Sequence, residues 1–313
     1  MTAVPAQTSS SALNQLKLFF ALSRTPHGIL DLATPAVVAL LWYGSLPPLR
    51  IILVGLITAF AGYTAVYALN DLVDYRVDEK KLARGGFRDT KNYLDAVLIR
   101  HPVAAGLLPF KEALFWTMGW ALLALFGAYL LNPVCVLIFV IACLLETIYC
   151  ILWKTSSLRA LISGVVKTSG GMAAVFAVDK SPSAPFLVLL FFWLFFWEIG
   201  GQNIPADWTD IQEDRLLRAK TVPLQLGMAR ANSLILSSLI IAVALNGILL
   251  SLSRVGAKLP AVVASACAGI YLLLIPAYRL FKTRQGPRAS ILFNKASYYP
   301  LAVLCVVGII MLI

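Results

Sequence analysis

Residues 51–78 read IILVGLITAFAGYTAVYALNDLVDYRVD, an apolar run that ends in an asparagine and three aspartates. The apolar part, 51–72, is long enough to cross a bilayer, which takes about 20 residues. Asp71, Asp74 and Asp78 stand at offsets 0, 3 and 7. On an α-helix that spacing lines three carboxylates along one narrow stripe. The same offsets recur at Asp207, Asp210 and Asp214, again where an apolar segment gives way to a basic one.

The rest of the chain has the same character. Of its 313 residues 60% are hydrophobic and 13% charged, against roughly 25% charged in a soluble domain. Mean hydropathy is +0.83. These values predict an all-α, polytopic membrane protein forming one membrane-embedded domain over 1–313. We read nine spans, at about 27–46, 51–72, 112–131, 133–152, 160–178, 184–203, 231–252, 259–278 and 291–313, arranged around a central cavity. Residues 1–10 are small and polar and lack a cleavable-signal pattern. Residues 13–23 read as an amphipathic helix in a cytoplasmic or interfacial N-terminal segment, 1–25. The five cysteines lie in apolar stretches at irregular spacing, which argues against a disulfide framework or a zinc site.

Net charge is +11. The N-terminus and the loops after spans 2, 4, 6 and 8, with their margins, hold 21 of the 26 Lys and Arg residues. The alternate loops hold Arg50, Lys180, Arg254 and Lys258, and Lys167 falls inside a span. By the positive-inside rule the N-terminus is cytoplasmic. Both aspartate triples then face the cytoplasm, although acids did not enter the count. The basic excess suits anionic headgroups or an anionic substrate; nothing suggests nucleic acid. Long loops at 73–111 and 204–230 follow spans 2 and 6, which suggests a duplicated four-helix unit plus one helix.

Of the 15 Asp and Glu residues, eight lie in the two clusters, counting Glu79 and Glu213. Like charges three and four residues apart repel on a helix, so a cation is expected among them. Carboxylates without His or Cys favour Mg²⁺ or Ca²⁺ over zinc. Two facing Mg²⁺ sites that grip a diphosphate explain the pattern best.

The segment Asn70-Asp71-Leu72-Val73-Asp74-Tyr75-Arg76-Val77-Asp78 resembles the NDxxDxxxD motif of the UbiA-type intramembrane prenyltransferases. Asp207-Trp208-Thr209-Asp210-Ile211-Gln212-Glu213-Asp214, running into Lys220-Thr221-Val222-Pro223 and Gly227, resembles that family's second aspartate motif and its trailing KT-P-G stretch. The resemblance extends over the whole chain. It implies two Mg²⁺ ions held by Asp71, Asp74, Asp78, Asp207, Asp210 and Asp214 against the diphosphate of a polyprenyl donor. It also implies a bacterial-type inner membrane, a lateral opening for the lipid tail, and transfer of the prenyl group to a small aromatic, quinone-precursor-like acceptor.

The substrate-binding set expected with these acids is Asn70, Arg24, Arg76, Tyr149, Lys154, Lys167, Asn203 and Lys220. Asn203 precedes Asp207 by one helical turn. Tyr149 and Lys154 resemble the family's Tyr…Lys pair. Arg24-Thr25-Pro26-His27 resembles its Arg-Pro-rich entry, and Arg100-His101-Pro102…Gly106 its Arg-Pro…Gly stretch. The long basic segment 79–99 between the motif and that stretch departs from the family pattern and reads as a lid over the phosphates or a membrane-facing loop. The intramembrane acids Asp31, Glu146 and Glu198 are further candidates for pocket polarity.

Three alternatives stand beside this reading. A terpene cyclase or diphosphate lyase would ionise the same donor, with the aromatic residues of 186–197 supporting the cation. A lipid glycerol phosphate, chlorin-type or haem-type acceptor would use the same clamp. A transporter would place its acids in broken helices at mid-membrane, whereas these acids gather at span ends.

Overall fold

The computed structural model describes residues 12–84, 94, 97–256 and 258–312. Among these the secondary structure is helical, with no strand. The basic residues Arg88 and Lys91 of the 79–99 segment lie outside the described residues. Eight helices are long and apolar enough to cross a membrane: Leu49–Ala83, Phe110–Leu131, Pro133–Lys154, Arg159–Val178, Ala184–Thr209, Val222–Leu252, Lys258–Thr283 and Gly286–Leu312.

The ninth expected span, 27–46, is divided into α2 (Thr25–Asp31) and α3 (Ala33–Tyr43). Leu32 between them keeps right-handed helical angles. Pro35 has no N–H to return to the Asp31 carbonyl, so the helix is interrupted there rather than ended. The last span divides in the same way, into α14 (Gly286–Ser297) and α15 (Tyr299–Leu312), with Pro300 four residues after Ala296. Ahead of α2, α1 (Ala12–Leu22) occupies the segment expected to be amphipathic. Its Phe19 stacks on Trp116 at 4.8 Å between ring centroids.

Helix α4 (Leu49–Ala83) is 35 residues long, about 52 Å. It outruns a hydrocarbon core of about 30 Å, so the expected loop 73–111 begins as helix. The first aspartate triple therefore lies on a continuous helical stripe. The second triple does not. After α8 (Ala184–Trp197) the chain widens into a π-helical segment, Glu198–Asn203. It continues as two short helices, α9 (Ile204–Thr209) and α10 (Ile211–Leu216), which break at Asp210. Helix α11 (Val222–Leu252) then bends at Gly227, whose φ of 80° is open to glycine.

Helices α5 (Phe110–Leu131), α6 (Pro133–Ile151) and α7 (Arg159–Val178) follow α4. Helix α4 packs on α5 and α6, α6 on α7, and α7 on both α3 and α8. On the other side α8 packs on α11, α11 on α12 (Lys258–Gly269), and α12 on α15, which returns to α3. The main core lies on that side, around Trp193, Leu194, Trp197, Ile235, Leu239 and Tyr299. The side of α4–α7 encloses a cavity.

The π segment depends on close approach. A Cβ at Gly200 would lie 2.9 Å from the Ile235 carbonyl oxygen and 2.9 Å from Ser238 Cβ on α11. Gly200→Ala is therefore expected to destabilise by about 1–3 kcal/mol. A lowered unfolding midpoint in detergent, set against Gly308→Ala where a Cβ meets open space, checks this.

Candidate active site

A cavity of about 500 Å³ runs inside α3–α7. Along α4 its wall extends from Lys81 to Ile51, about 45 Å of helix. Its upper part is polar and its lower part is lined by residues such as Ala36, Leu40, Ile52, Phe139 and Ala173. Leu46 and Leu56 line it while remaining 71% and 44% exposed. The cavity therefore opens sideways between the end of α3 and the start of α4.

The two triples meet at the mouth. Asp74, Asp78, Asp207, Asp210 and Asp214 line it, and Asp71 sits just behind. Four cations cross-link the acids. His101 Nδ1 lies 2.6 Å from Asp71 Oδ1 and 2.8 Å from Asp78 Oδ2. Lys81 Nζ is 3.1 Å from Asp214 Oδ1, and Arg100 is 3.3 Å from Asp210 Oδ2. Arg159 is 3.6 Å from Asp207 Oδ1 and also donates to the Tyr149 hydroxyl. Thus α4 and the loop that follows it reach across to the second triple.

Local packing sets these positions. Val103 and Leu108 are buried with Leu22, Ala68, Leu72 and Ala113, which pins the loop carrying Arg100 and His101 against α4. His101 itself takes φ 52°. Arg159 lies over the Tyr149 ring, 4.1 Å from its centroid, and Asn203 Nδ2 donates to the same Tyr149 hydroxyl at 3.1 Å. Asn70 bridges two partners: it accepts from Arg24 at 3.1 Å and donates to Glu146 at 2.7 Å.

The fields follow from this geometry. Burial opposes charge on His101, but Asp78 and Asp71 outweigh it and raise the imidazole to about 9. Burial pushes Asp210 up, and Arg100 and Lys81 more than reverse this, so it stays below the usual carboxylate range. Burial keeps Asp214 above that range, opposed by Lys81 and reinforced by Asp207 and Asp210. Even with these partners, Asp71 Oδ2 and Asp207 Oδ2 are buried without a hydrogen bond. Buried carboxylate oxygens left over in this way fit a hard, oxygen-seeking cation.

Not every expected residue reaches the mouth. Arg24, Asn70, Tyr149, Lys167 and Asn203 line the cavity. Lys167, however, is held by Asp31 at 2.7 Å and by Tyr67 at 3.1 Å, below the six aspartates. Arg76, Lys154 and Lys220 are exposed and line no part of it. Arg76 turns to the Tyr75 hydroxyl at 3.0 Å, because position 76 falls off the stripe of 71, 74 and 78. The cation beside Tyr149 is Arg159, not Lys154. Sequence reading passed over Arg159 because it looked like one more positive-inside residue. Lys81 carried a usable signal: it continues the stripe at offset 10. The aromatic residues of 186–197, offered as support for a cyclase, line no part of the cavity.

Known proteins agree with this architecture. The model of the UbiA prenyltransferase family matches residues 32–299. No curated protein matches the sequence. Among solved structures, an apo UbiA homologue from Aeropyrum pernix K1 superposes with a TM-score of 0.71 at 20% identity, covering 90% of this chain and 97% of that one. A UbiA homologue from Archaeoglobus fulgidus bound to GPP and Mg²⁺ gives 0.68 at 15% identity, covering 95% and 100%. A digeranylgeranylglyceryl phosphate synthase gives 0.67 at 18% identity, covering 96% and 99%. With a family match over most of its length and both aspartate sets at the mouth of one cavity, the chain belongs to the UbiA prenyltransferase family.

Proposed function

We propose that this protein transfers a prenyl group from a prenyl diphosphate to a small acceptor within the membrane, dependent on Mg²⁺, with two ions in the site. The observation that carries this is the pairing of six carboxylates, with unpartnered oxygens on Asp71 and Asp207, and a long apolar cavity that opens to the lipid. Relatives of the same fold have been seen with GPP or DMAPP and Mg²⁺. Asp71, Asp74, Asp78, Asp207, Asp210 and Asp214 would hold the ions. Bound Mg²⁺ would supply Lewis-acid neutralisation of the charge that grows on the leaving diphosphate.

The protein's own cations complete that setting. Arg24, Lys81, Arg100 and Arg159 surround the mouth and offset diphosphate charge that the ions leave. Tyr149 and Asn70 orient Arg159 and Arg24 through the bonds described above. The apolar wall below receives the isoprenoid and excludes water from the allylic carbon. The side opening at Leu46 and Leu56 lets a chain longer than the cavity trail into the bilayer.

The proposed setting is a bacterial-type inner membrane, with the N-terminus and the mouth on the cytoplasmic side. A small aromatic acceptor remains the reading for the second substrate. A glycerol phosphate acceptor has the support of one similar structure, the digeranylgeranylglyceryl phosphate synthase.

Asp71→Ala and Asp207→Ala are each expected to lower prenyl transfer at least about 100-fold, and EDTA to abolish it until Mg²⁺ is restored. Retention of turnover in either variant would overturn the reading. Arg159→Ala is expected to cost at least about 10-fold, whereas Arg76→Ala, Lys154→Ala and Lys220→Ala stay within about 2-fold of the parent; steady-state rates with a fixed donor check the contrast. Orientation has a separate check. In a cysteine-free background, an impermeant maleimide added outside intact cells is expected to label Lys180→Cys and to spare Glu79→Cys.

A further inference from the structure

Below the six aspartates the cavity meets a second set of acids that the diphosphate clamp does not use. Glu198 opens the π-helical segment and lines the wall, only 7% exposed. Its Oε1 accepts from Ser163 at 2.8 Å, and its Oε2 is buried without a hydrogen bond. Glu146, on α6, lines the same wall and takes one hydrogen bond, from Asn70. Asp31 is different: Lys167 and Tyr67 both donate to its Oδ2, and His27 Nε2 is 3.8 Å from Oδ1. The cation and one of the three acids thus satisfy each other. Two carboxylates remain at the wall with acceptor capacity to spare.

Buried acids of this kind are costly in a membrane and are kept where they meet a partner. A π-helical turn at such a residue is itself a frequent mark of a functional position. Glu198 precedes Asp207 by nine residues, about 13 Å of helix, so it lies on the hydrocarbon side of the clamp. Glu146 is one turn from Tyr149, which is tied to Arg159 and Asn203. The two acids therefore flank the region where the allylic end of a donor begins.

We propose that Glu198 and Glu146 form the acceptor subsite and select an uncharged acceptor that presents hydroxyl or N–H donors to them. This rests on the transferase reading above. As the donor's C1–O bond breaks, its electron pair leaves with the diphosphate. A bond forms between C1 and the nucleophilic atom of the acceptor, and the proton that the acceptor loses passes to Glu198. A carboxylate or phosphate on the acceptor needs a cation here, and the cations nearest these two acids are committed, Lys167 to Asp31 and Arg24 to Asn70, so it is rejected.

The test uses the full-length protein in detergent with geranyl diphosphate and Mg²⁺. Three acceptors are compared: hydroquinone, 4-hydroxybenzoate and glycerol 1-phosphate. The expected result is a kcat/KM for hydroquinone at least about 10-fold above either anion. Glu198→Gln is expected to lower kcat with hydroquinone at least about 100-fold. Binding of geranyl thiolodiphosphate with Mg²⁺ should stay within about 2-fold of the parent, which also shows that the variant is folded. Glu146→Gln is expected to narrow the preference for the neutral acceptor. A parent that prefers either anion, or a Glu198→Gln variant that keeps its kcat, would overturn the subsite while leaving the clamp intact. Failure of the parent to bind the thiolodiphosphate would overturn the transferase reading and the subsite with it.

Discussion

Six carboxylates converge on the mouth of an apolar cavity, and their mutual repulsion has to be offset there. The chain does this with cations drawn from across the fold. Lys81 extends from the first motif's own helix to Asp214, Arg100 comes from the loop beyond it to Asp210, and Arg159 reaches Asp207 from the start of α7. His101 sits between two acids of its own half. Removing one partner of a buried pair costs far more than the pair contributes, since the other charge is then left alone. The cross-links therefore act mainly to hold the two halves in one register. That register lets the carboxylate oxygens left over act together.

The architecture was largely legible in the sequence, because apolar length and the Lys and Arg distribution are strong signals in a chain of this composition. The breaks were not. A hydropathy reading sees 27–46 as one span and cannot weigh the missing N–H of Pro35. It likewise ends span 2 where charge begins, although α4 continues through Asp78 to Ala83. The second triple has the spacing of a continuous helix, yet the chain turns at Asp210. The cation that pairs with Asp210 at that turn, Arg100, lies more than a hundred residues away.

The site itself was legible in its acids and less so in its cations. Asp71, Asp74 and Asp78 announce themselves by spacing, as do Asp207, Asp210 and Asp214. A basic residue near a membrane end has a ready topological explanation, so Arg159 and Lys154 look alike until the fold turns one inward and the other outward. Lys167 shows the reverse case. Its place inside a span marked it as engaged, but its partner is Asp31, a residue that nothing in the local sequence connects to it.

The side opening between α3 and α4 has a kinetic meaning. On the proposed reading, a donor with its chain in the bilayer reaches the mouth by diffusing in two dimensions. The quantity that governs its capture is then its mole fraction among the lipids, not its concentration in the bulk. Adding inert lipid or detergent at fixed total substrate dilutes the surface and slows the encounter, although no residue of the protein has changed. Saturation curves for this protein therefore carry a surface-dilution dependence that a site open only to water does not show.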